Sequence, residues 1–356
     1  MNNAIRVLVI DDSALVRDIL TQGLNADPQI VVVGTASDPY MARDKIIELR
    51  PDVLTLDIEM PRMNGVDFLR RLMPQYPMPV VMVSALTEKG KKITFDALEA
   101  GAVDFVSKPK ADISRQLNAM MDELRTKVKV ASTANVSSWK DNRSRQVQGK
   151  DLASFKNAGE RIIAVGASTG GTEAIKSLIS SFPPQMPGVV IVQHMPPGFT
   201  RLFAQRLNSL CHLEVFEARD MDDIIPGRVL IAPGGNHLLI QKANARYIAR
   251  VQAGTLVNGH CPSVDVLFDS VARHAGSSAI GAVLTGMGSD GAAGLLQMRR
   301  AGARCFAQDQ SSCTVFGMPR AAFELGGVEE LLPLSEMASV ITAVLAGKKR
   351  SQPCQE

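Results

Sequence analysis

Short apolar runs alternate with helix-like segments throughout the first 126 residues, and this alternation constrains the fold more than any other feature of the chain. The runs have strand length and predict strands at Arg6–Ile10, Ile30–Thr35, Val53–Asp57, Val80–Ser84 and Asp104–Val106. Segments between them, such as Ala14–Leu24, repeat apolar residues with helical spacing. Successive strand and helix units of this kind form a doubly wound sheet with right-handed crossovers. We therefore predict a five-stranded parallel α/β domain over residues 1–126.

Charged or polar residues stand at the carboxyl ends of four of these strands. Asp11 and Asp12 follow the first, Asp57 ends the third, Ser84 ends the fourth and Lys108 follows the fifth. The carboxyl ends of parallel strands meet at one edge of a sheet. Three carboxylates suit Mg²⁺, and a lysine binds phosphoryl oxygens as a point charge. A single strand-end acid is usually only solvated, but this combination favours a divalent-metal and phosphoryl site with Asp57 as the nucleophile.

The motifs IDDSALVRDIL, LDIEMPRMNG, VMVSAL and DFVSKP resemble the receiver domain of two-component response regulators, over about residues 4–126. The resemblance implies that Asp57 accepts a phosphoryl group from a histidine kinase. It also implies that Asp11, Asp12 and Asp57 hold Mg²⁺ during this transfer.

The same resemblance implies a switch formed by Ser84 and Phe105, with Lys108 at the phosphoryl group. Many members of the family carry tyrosine or another aromatic residue at the position of Phe105. Because phenylalanine has no hydroxyl, a hydroxyl at this position takes no part in the switch of this chain.

A chain of 356 residues is too long for one ordinary core, so the length favours two domains. Residues 127–158 are rich in Ser, Asn, Lys and Gln and predict a linker that is at least partly flexible. Residues 159–346 again alternate strand and helix patterns, and predict a second, mainly parallel α/β domain with a hairpin-like excursion near residues 236–252. Residues 347–356 are left as a C-terminal tail.

Composition excludes several classes of function. The net charge of +3 argues against nucleic-acid binding driven by bulk charge. The apolar runs are too short to span a membrane, and the first run ends in two acids, unlike a signal peptide. The five cysteines are odd in number and form no CxxC motif, which is typical of reduced packing residues. We therefore predict a cytoplasmic protein that binds no nucleic acid and inserts in no membrane.

The segment GASTGG, residues 166–171, follows an apolar run and precedes a predicted helix at Gly171–Ser180. This is the strand–turn–helix context of a nucleophile elbow, in which small neighbours expose the Ser168 hydroxyl. A phosphate loop is disfavoured because Thr172 and Glu173 replace the lysine and hydroxyl residue that such a loop requires. From these residues alone, a glycine-rich packing turn remains an equal alternative.

A serine nucleophile needs a base and an orienting acid. His194 ends a predicted strand at the same sheet edge as Ser168, and His237 is the second candidate for the base. Asp290 follows a glycine-rich turn after the predicted strand Ala279–Leu284, from where it can reach a histidine Nδ1. Capping of the next helix is the simpler role for Asp290, and it is compatible with a role as the acid. Asp265 and Asp309 are weaker candidates for the acid.

The remaining histidines lie in contexts that favour structural roles. His212 and His274 are expected to face solvent, and His260 precedes a Pro-Ser-Val-Asp segment where substrate contact and packing are equally compatible.

The motifs VGASTGG, VVIVQHMP, IAPGGNH, PSVDVLF and LTGMGSDGA resemble the catalytic domain of the chemotaxis protein-glutamate methylesterases, across about residues 159–346. The resemblance implies a catalytic triad of Ser168, His194 and Asp290, with the Met287 backbone N–H in the oxyanion hole. Cys261 stands where relatives carry a basic residue.

The resemblance further implies that the chain hydrolyses glutamate methyl esters on chemoreceptors without a cofactor for the esterase step. Some members of this family also deamidate glutamine. It also implies a regulated enzyme, in which the receiver rests on the active-site face and phosphorylation weakens this docking. The alternative is a response regulator whose second domain binds DNA or another partner without catalysis. DNA binding is disfavoured because residues 159–346 show strands and glycine turns rather than a helix-turn-helix.

Overall fold

The computed structural model describes residues 4–85, 87–108, 113–136, 155, 157–244 and 246–347. The chain divides into two compact units, residues 1–144 and 145–356. Most of the predicted linker after residue 136 and nearly all of the predicted C-terminal tail lie outside the described residues.

The first unit is the predicted doubly wound α/β domain. Its strands are β1 (Ile5–Ile10), β2 (Ile30–Ala36), β3 (Val53–Asp57), β4 (Val80–Ala85) and β5 (Asp104–Lys108), and its helices are α1 (Ala14–Asn25), α2 (Pro39–Leu49), α3 (Gly65–Gln75), α4 (Glu88–Glu99) and α5 (Ile113–Ala131). All strands are parallel, in the order β2-β1-β3-β4-β5. The predicted fold class is therefore confirmed.

Local sequence explains where the elements of this unit lie. The central strands β1 and β3 are buried by helices on both faces, which accounts for their continuous apolar runs. The first four helices each begin after a side chain that accepts a hydrogen bond from a backbone N–H of the first turn. These capping residues are Ser13, Asp38, Asn64 and Thr87.

Helix α5 extends the first unit beyond the predicted boundary at residue 126. The helix ends at Ala131, and Val128 and Ala131 belong to the core of this unit. Val136 packs against the same core. The boundary predicted from composition therefore falls inside a helix, because the polar residues of the last turns of α5 mask the buried ones between them.

The second unit is built on a seven-stranded parallel sheet. Its strands are β6 (Ile162–Ala167), β7 (Gly188–Gln193), β8 (Glu214–Glu217), β10 (Arg228–Ile231), β13 (Ala279–Val283), β14 (Arg304–Gln308) and β15 (Glu330–Leu332), and its helices are α6 (Gly171–Ser180), α7 (Phe199–Leu210), α8 (Val264–His274), α9 (Ala292–Arg300), α10 (Met318–Glu324) and α11 (Leu334–Leu345). The order is β15-β14-β13-β6-β7-β10-β8. The second predicted α/β domain is likewise confirmed.

A small antiparallel sheet covers part of this unit. It contains β9 (Asp223–Ile224), β11 (His237–Ala243) and β12 (Arg246–Gln252), and β11 and β12 form the hairpin predicted near residues 236–252. The Ile240 N–H donates to Ser270 Oγ on α8 at 2.9 Å, which ties the hairpin to that helix. Strands β9, β14 and β15 were not predicted, because each is short and contains charged or polar residues that blur the apolar pattern.

None of the described helices combines the length and the apolar composition that crossing a bilayer requires.

Candidate functional site

The large sheet of the second unit has a topological switch point between β6 and β13. The chain leaves β6 toward β7 on one side, and leaves β13 toward β14 on the other. The loops after two such strands diverge and leave a crevice at their carboxyl ends, which is where open α/β sheets bind ligands. Ser168 follows β6 and Asp290 lies in the loop after β13. The topology therefore brings two of the predicted site residues to one crevice.

Ser168 lies in a tight strand–turn–helix connection between β6 and α6. Gly170 caps the helix with a φ of 76°, in the left-handed region. A Cβ at Gly170 would lie 2.4 Å from Thr314 Oγ1, so this glycine is needed for space as well as conformation. The Ser168 N–H donates to the Thr285 carbonyl at 3.0 Å. The half-buried serine is thereby held at the N-terminus of α6, where the helix dipole favours a developing negative charge.

Gln193 joins the loops that carry Ser168 and His194. Its Nε2 donates to the Ser168 carbonyl at 2.9 Å and to the His194 carbonyl at 3.2 Å. The His194 N–H donates to the Ala167 carbonyl at 3.1 Å, which continues the pairing of β6 with β7 by one residue. Ser168 and His194 are therefore side by side at the end of adjacent strands.

His194 and Asp290 form a direct hydrogen bond of 2.8 Å between Nε2 and Oδ2. The prediction that Asp290 reaches Nδ1 is wrong in this detail, because the ring presents its Nε2 edge to the position where the α8 N-terminus holds Asp290. The buried Nδ1 has no hydrogen-bond partner among the described residues. The Ser168–His194 hydrogen bond is thus not formed, as is common in apo active sites. Nδ1 is therefore the ring nitrogen of His194 that can accept a proton.

Asp290 accepts hydrogen bonds from the start of α8 and from the loop before it. Its donors, besides His194, are Val264 N at 2.7 Å, Asp265 N at 3.2 Å, Ser263 Oγ at 2.8 Å and Asn258 Nδ2 at 2.9 Å. The carboxylate therefore binds at the N-terminus of α8, whereas Gly291 precedes its own helix α9. The alternative role as cap of that following helix is not observed.

These contacts determine the charge of Asp290. Burial by itself would raise the pKa of this carboxyl, but the hydrogen bonds from His194 and Asn258 outweigh burial. The net pKa lies below the ordinary range of aspartate. Asp290 is therefore ionised near neutral pH, which suits an acid that holds one histidine tautomer and stabilises the imidazolium.

The loop after β13 approaches Ser168 closely. A Cβ on Gly286 would lie 2.7 Å from Ser168 Cβ and 2.4 Å from Met318 Sδ. The Gly286 carbonyl accepts from the N–H groups of Gly317 and Met318, at 3.0 and 2.8 Å. This places the backbone of Met287 one residue beyond the closest approach to Ser168. Within the described part of the chain, the Met287 N–H donates to no acceptor, so it is available to an oxyanion.

The other candidates for the base and the acid form hydrogen bonds with other partners than His194 or Ser168. His237 is bonded at Nε2 to the Thr255 carbonyl and at Nδ1 to the Ser263 N–H, so neither ring nitrogen is left for a serine. Asp309 binds the hydroxyls and the N–H of its own loop. Asp265 accepts from Asn258 and from the Gly294 N–H, at 2.7 and 2.6 Å.

Several residues in this site were not found by sequence reasoning. Gln193, Asn258 and Ser263 contact the predicted triad, and His260 stacks on His194 with ring centroids 3.7 Å apart. The Asn258-Gly259 pair is a turn signal, but no local pattern indicates which distant residue the turn contacts. Cys261 is half-buried, and burial raises the pKa of its thiol.

The predicted phosphoryl site assembles at the carboxyl edge of the first sheet. Lys108 Nζ lies 2.9 Å from Asp11 Oδ2 and 3.0 Å from Asp57 Oδ2. The Ile58 N–H donates to Asp57 Oδ1 at 2.8 Å. Asp11 and Asp57 are buried, whereas Asp12 is exposed. A Cβ on Gly65 would lie 2.2 Å from the Asp57 carbonyl oxygen, so this glycine permits the tight turn after β3.

The three carboxylates fit a hard divalent cation. One oxygen from each of Asp11, Asp12 and Asp57 lies within 4.8 Å of the others. Burial raises the pKa of Asp57 to about 6, the neighbouring Asp11 adds to this rise, and Lys108 opposes it. Mg²⁺ binds carboxylate oxygens, and its charge would offset the repulsion between these neighbouring carboxylates.

Magnesium is expected to stabilise the first unit more at pH 7.5 than at pH 5. The folded pKa of Asp57, about 6, exceeds its ordinary value of 3.8, so the free energy of unfolding falls as the pH rises from 3.8 to 6 and is then constant. At pH 7.5 the folded carboxylate is ionised and ready to bind Mg²⁺, whereas at pH 5 it is mostly protonated and Mg²⁺ must displace the proton. At saturating Mg²⁺, about 100 times the dissociation constant, binding should add about 2.7 kcal/mol. Thermal unfolding with and without Mg²⁺ measures this shift. Equal shifts at both pH values, or a full shift in Asp12→Ala, would contradict the site.

The predicted switch residues Ser84 and Phe105 are both buried in the first unit. Ser84 Oγ accepts from Thr94 Oγ1 at 2.9 Å. Phe105 is 5% exposed, and its carbonyl accepts from Lys127 Nζ at 2.5 Å. The same ammonium lies 5.1 Å from the Phe105 ring centre and 3.0 Å from Asp104 Oδ1. Lys127 therefore links β5 to α5.

Each of the two units matches the sequence model of a known protein family. Residues 7–121 match the family model for the response regulator receiver domain, and residues 163–341 match that for the CheB methylesterase. A Syntrophotalea carbinolica protein called protein-glutamate methylesterase/protein-glutamine glutaminase is 61% identical, over 98% of this chain and 100% of that protein. A Nitrosomonas europaea protein with the same description is 51% identical, over 96% and 97% of the two chains.

Among solved structures, the Thermotoga maritima CheB methylesterase catalytic domain superposes with a TM-score of 0.51 and 36% identity. The match covers 52% of this chain and 98% of that domain. The chain has a receiver domain followed by the esterase domain, and a protein-glutamate methylesterase matches it over nearly its full length at 61% identity. This chain therefore belongs to the CheB methylesterase family.

Proposed function

We propose that this protein is a cytoplasmic serine hydrolase that removes methyl groups from glutamate methyl esters on chemoreceptors and is activated by phosphorylation at Asp57. The observation that carries the proposal is the His194–Asp290 pair. Asp290 holds Nε2 of His194 at 2.8 Å, and the buried Nδ1 has no partner among the described residues, next to the Ser168 turn. The names of the relatives supply the substrate class.

The reaction proceeds by acyl transfer to serine. Ser168 Oγ attacks the ester carbonyl while His194 Nδ1 accepts the hydroxyl proton, and Asp290 stabilises the resulting imidazolium. The imidazolium then returns this proton to the leaving methoxy oxygen, so that methanol departs and a glutamyl ester of Ser168 remains. Water attacks that ester with His194 again as the base, which releases the glutamate carboxyl and regenerates Ser168.

Backbone groups stabilise the oxyanion of each tetrahedral intermediate. The Met287 N–H and the N-terminus of α6 are the candidate donors, and the close approach of Gly286 to Ser168 supports this assignment. Removal of one oxyanion donor typically costs about 3–4 kcal/mol of transition-state stabilisation. No cofactor is required for these steps.

Glutamine deamidation is a second candidate activity at the same site. The relatives are described as glutaminases as well as methylesterases. The same attack on a glutamine amide would release ammonia when His194 protonates the leaving nitrogen. The chemistry differs only in the leaving group, so the same three residues would serve both reactions.

Phosphorylation uses the first unit. Asp57 attacks the phosphoryl group of a chemotaxis histidine kinase, and Lys108, 3.0 Å from Asp57, would bind the phosphoryl oxygens. Asp11, Asp12 and Asp57 would hold Mg²⁺, which neutralises negative charge on the transferred group. Ser84 and Phe105, both buried in the first unit, would be the residues that respond to phosphorylation.

Mass spectrometry of a methylated receptor fragment tests the activity directly. Incubation with this protein should reduce the fragment by one methylene mass for each ester cleaved, with equimolar methanol in solution. The alternative function, in which the second unit binds a partner without catalysis, would leave the fragment unchanged. An increase of one mass unit at glutamine positions would identify deamidation.

Removal of the first unit is expected to raise the basal esterase rate. We propose that the unphosphorylated receiver restrains the esterase, so a fragment of residues 145–356 should exceed the unphosphorylated full chain by at least about fivefold, the lower range of allosteric coupling. The fragment starts at residue 145, where the second compact unit begins, because α5 continues to Ala131 and belongs to the first unit. The phosphorylated full chain should be faster still. Initial methanol release compares the three forms, and a fragment no faster than the unphosphorylated chain would contradict occlusion.

A further inference from the structure

Two buried carboxylates lie next to each other at the start of α8, and the proposed reaction uses only one of them. Asp290 pairs with His194, whereas Asp265 has no part in the chemistry. Asp265 is 9% exposed and Asp290 is 2% exposed. Burial raises the pKa of the Asp265 carboxyl, and the charge of Asp290 adds to this rise. Neighbouring buried carboxylates repel each other, so a hydrogen-bond donor between them is expected.

Asn258 supplies such a donor to both carboxylates. Its Nδ2 lies 2.9 Å from Asp290 Oδ1 and 2.7 Å from Asp265 Oδ2. A side-chain amide nitrogen carries two hydrogens, so each carboxylate receives one of them. A hydroxyl has a single hydrogen and could serve only one of the two. The side chain of Asn258 therefore bridges the two carboxylates.

Asp265 is itself held between two helices. Its second oxygen, Oδ1, accepts from the Gly294 N–H in the first turn of α9 at 2.6 Å. Asp290, which lies just before α9, accepts in turn from the Val264 N–H in the first turn of α8 at 2.7 Å. The start of each helix is thus bound by a carboxylate from the start of the other, where the helix dipole favours negative charge. This crossed arrangement holds Asp265 Oδ2 in place as an acceptor for Asn258.

Asn258 belongs to the loop of residues 254–263, between β12 and α8, which is anchored at both ends. His237 donates from Nε2 to the Thr255 carbonyl at 2.9 Å and accepts at Nδ1 from the Ser263 N–H at 3.2 Å. The Gly235 N–H donates to the Cys261 carbonyl at 3.1 Å. These contacts fix the loop against the strand that carries His237.

Within this loop, a tight turn holds the backbone of Asn258. The backbone groups of Val257 and His260 exchange two hydrogen bonds, of 3.0 and 2.9 Å. Asn258 and Gly259, between them, have positive φ values of 52° and 81°. Two successive residues of positive φ define the mirror-image turn of tight hairpins, in which Asn-Gly and Gly-Gly are both favoured. The turn therefore explains a residue of positive φ at position 258, but it does not require an amide there.

The amide has a geometric effect on the acid. Asp290 Oδ2 accepts from His194 Nε2 at 2.8 Å, while Oδ1 accepts from Asn258. A rotation of the carboxylate that turned Oδ2 away from His194 would also break the hydrogen bond with Asn258. Ser263 Oγ donates to the same Oδ1 at 2.8 Å. Loss of Asn258 should therefore loosen the carboxylate without releasing it.

We propose that Asn258 is a positioning residue for the esterase reaction: its amide orients the Asp290 carboxylate toward His194, and Asp265 holds that amide. The inference rests on the proposed function, since it concerns the same proton transfer. The competing explanation is that Asn258 serves only its turn. Glycine adopts positive φ without strain, so Asn258→Gly retains the turn and removes only the amide.

Steady-state kinetics of the full-length protein test the proposal. Asn258→Gly should lower kcat by about 10- to 100-fold, the scale of a small misplacement of a catalytic group, with KM within about twofold. The matched control is Asn244→Gly, the same substitution at an exposed residue with a φ of 55° in the turn between β11 and β12. This control should keep the parent kcat. Thermal unfolding confirms that each variant is folded at the assay temperature.

The part of Asp265 is tested by Asp265→Ala in the parent and in Asn258→Gly. In the parent, the substitution should lower kcat by about 10-fold, because the Asn258 amide loses its anchor. In Asn258→Gly it should change kcat by less than about twofold, since residues that act through one contact are not additive. Equal losses in the two backgrounds would overturn the role of Asp265. If Asp265→Ala does not fold, the comparison of Asn258→Gly with Asn244→Gly still decides the role of Asn258.

Proton NMR supplies a readout that a general loss of stability would not mimic. The proton between His194 Nε2 and Asp290 should give a downfield resonance in the parent and in Asn244→Gly, and a shifted or broadened one in Asn258→Gly. A kcat within twofold of the parent in Asn258→Gly would overturn the proposal, as would a loss confined to KM or an unchanged resonance. Failure of the proposed function is distinguishable, since Ser168→Ala would then retain the parent rate.

Discussion

Replacement of Ser168 by alanine should remove nearly all of the methanol release. The substitution removes the atom that forms the acyl intermediate, and loss of a serine nucleophile in triad hydrolases costs on the order of 10⁴- to 10⁶-fold in kcat. Ser168 lies on a turn whose backbone contacts do not use its hydroxyl, so the fold should be retained. Initial rates on one methylated receptor preparation, together with thermal unfolding, measure both properties.

Two comparisons make this result specific. Ser177→Ala changes an exposed serine on the same helix, α6, and should leave the rate unchanged. His194→Gln should be nearly as inactive as Ser168→Ala, because the substitution removes the base. Retention of the parent rate in Ser168→Ala would end the serine hydrolase interpretation. Activity in His194→Gln with complete loss in His237→Gln would mean that the base is misassigned.

Replacement of Asp57 by asparagine should abolish phosphorylation by a small phosphodonor. Asp57 is the buried carboxylate that contacts Lys108 at 3.0 Å, and an amide has no nucleophilic oxygen of comparable strength. The parent should incorporate phosphate in Mg²⁺ as an acid- and base-labile acyl phosphate, and chelation should prevent the reaction. Intact-mass measurement, in which each phosphoryl group adds its mass, gives the stoichiometry.

The control for Asp57 is Asp44→Asn, at an exposed carboxylate on α2 whose ion-pair partner among the described residues is the neighbouring Arg43. This variant should be phosphorylated as the parent is. The Asp57→Asn protein should also show no response of esterase rate to the phosphodonor. Equal phosphate incorporation in the Asp57→Asn variant would move the phosphoryl site to another residue.

Much of the architecture follows from patterns that are local in the chain. Apolar runs ending in Asp12, Asp57 and Lys108 predicted the first sheet and the residues at its edge, because strand ends are marked by a change from apolar to polar side chains. The GASTGG segment likewise predicted a strand–turn–helix at Ser168. The short strands β9, β14 and β15 escaped, since two to five residues with charged members give little periodic signal.

For the candidate site, too, the sequence predicted one part and the tertiary structure decided the rest. The sequence by itself determined that Ser168, His194 and Asp290 stand at the ends of strands or in the loops after them. Only the tertiary structure decided that Nε2 rather than Nδ1 of His194 binds Asp290, that the start of α8 holds that carboxylate, and that His237 anchors a loop instead of acting as a base.

The physical reason is the range of the interactions. Periodicity, caps and turns reflect preferences over a few residues, so they can be predicted from residues that are close together in the sequence. The contact of Asn258 with Asp290 joins positions 32 residues apart, and the stacking of His260 on His194 joins the segment between β12 and α8 to the segment between β7 and α7. Such contacts depend on how the 254–263 loop packs against the sheet edge and on which ring edge then faces inward. The sequence therefore determined the chemical groups, and packing determined the atoms through which they act.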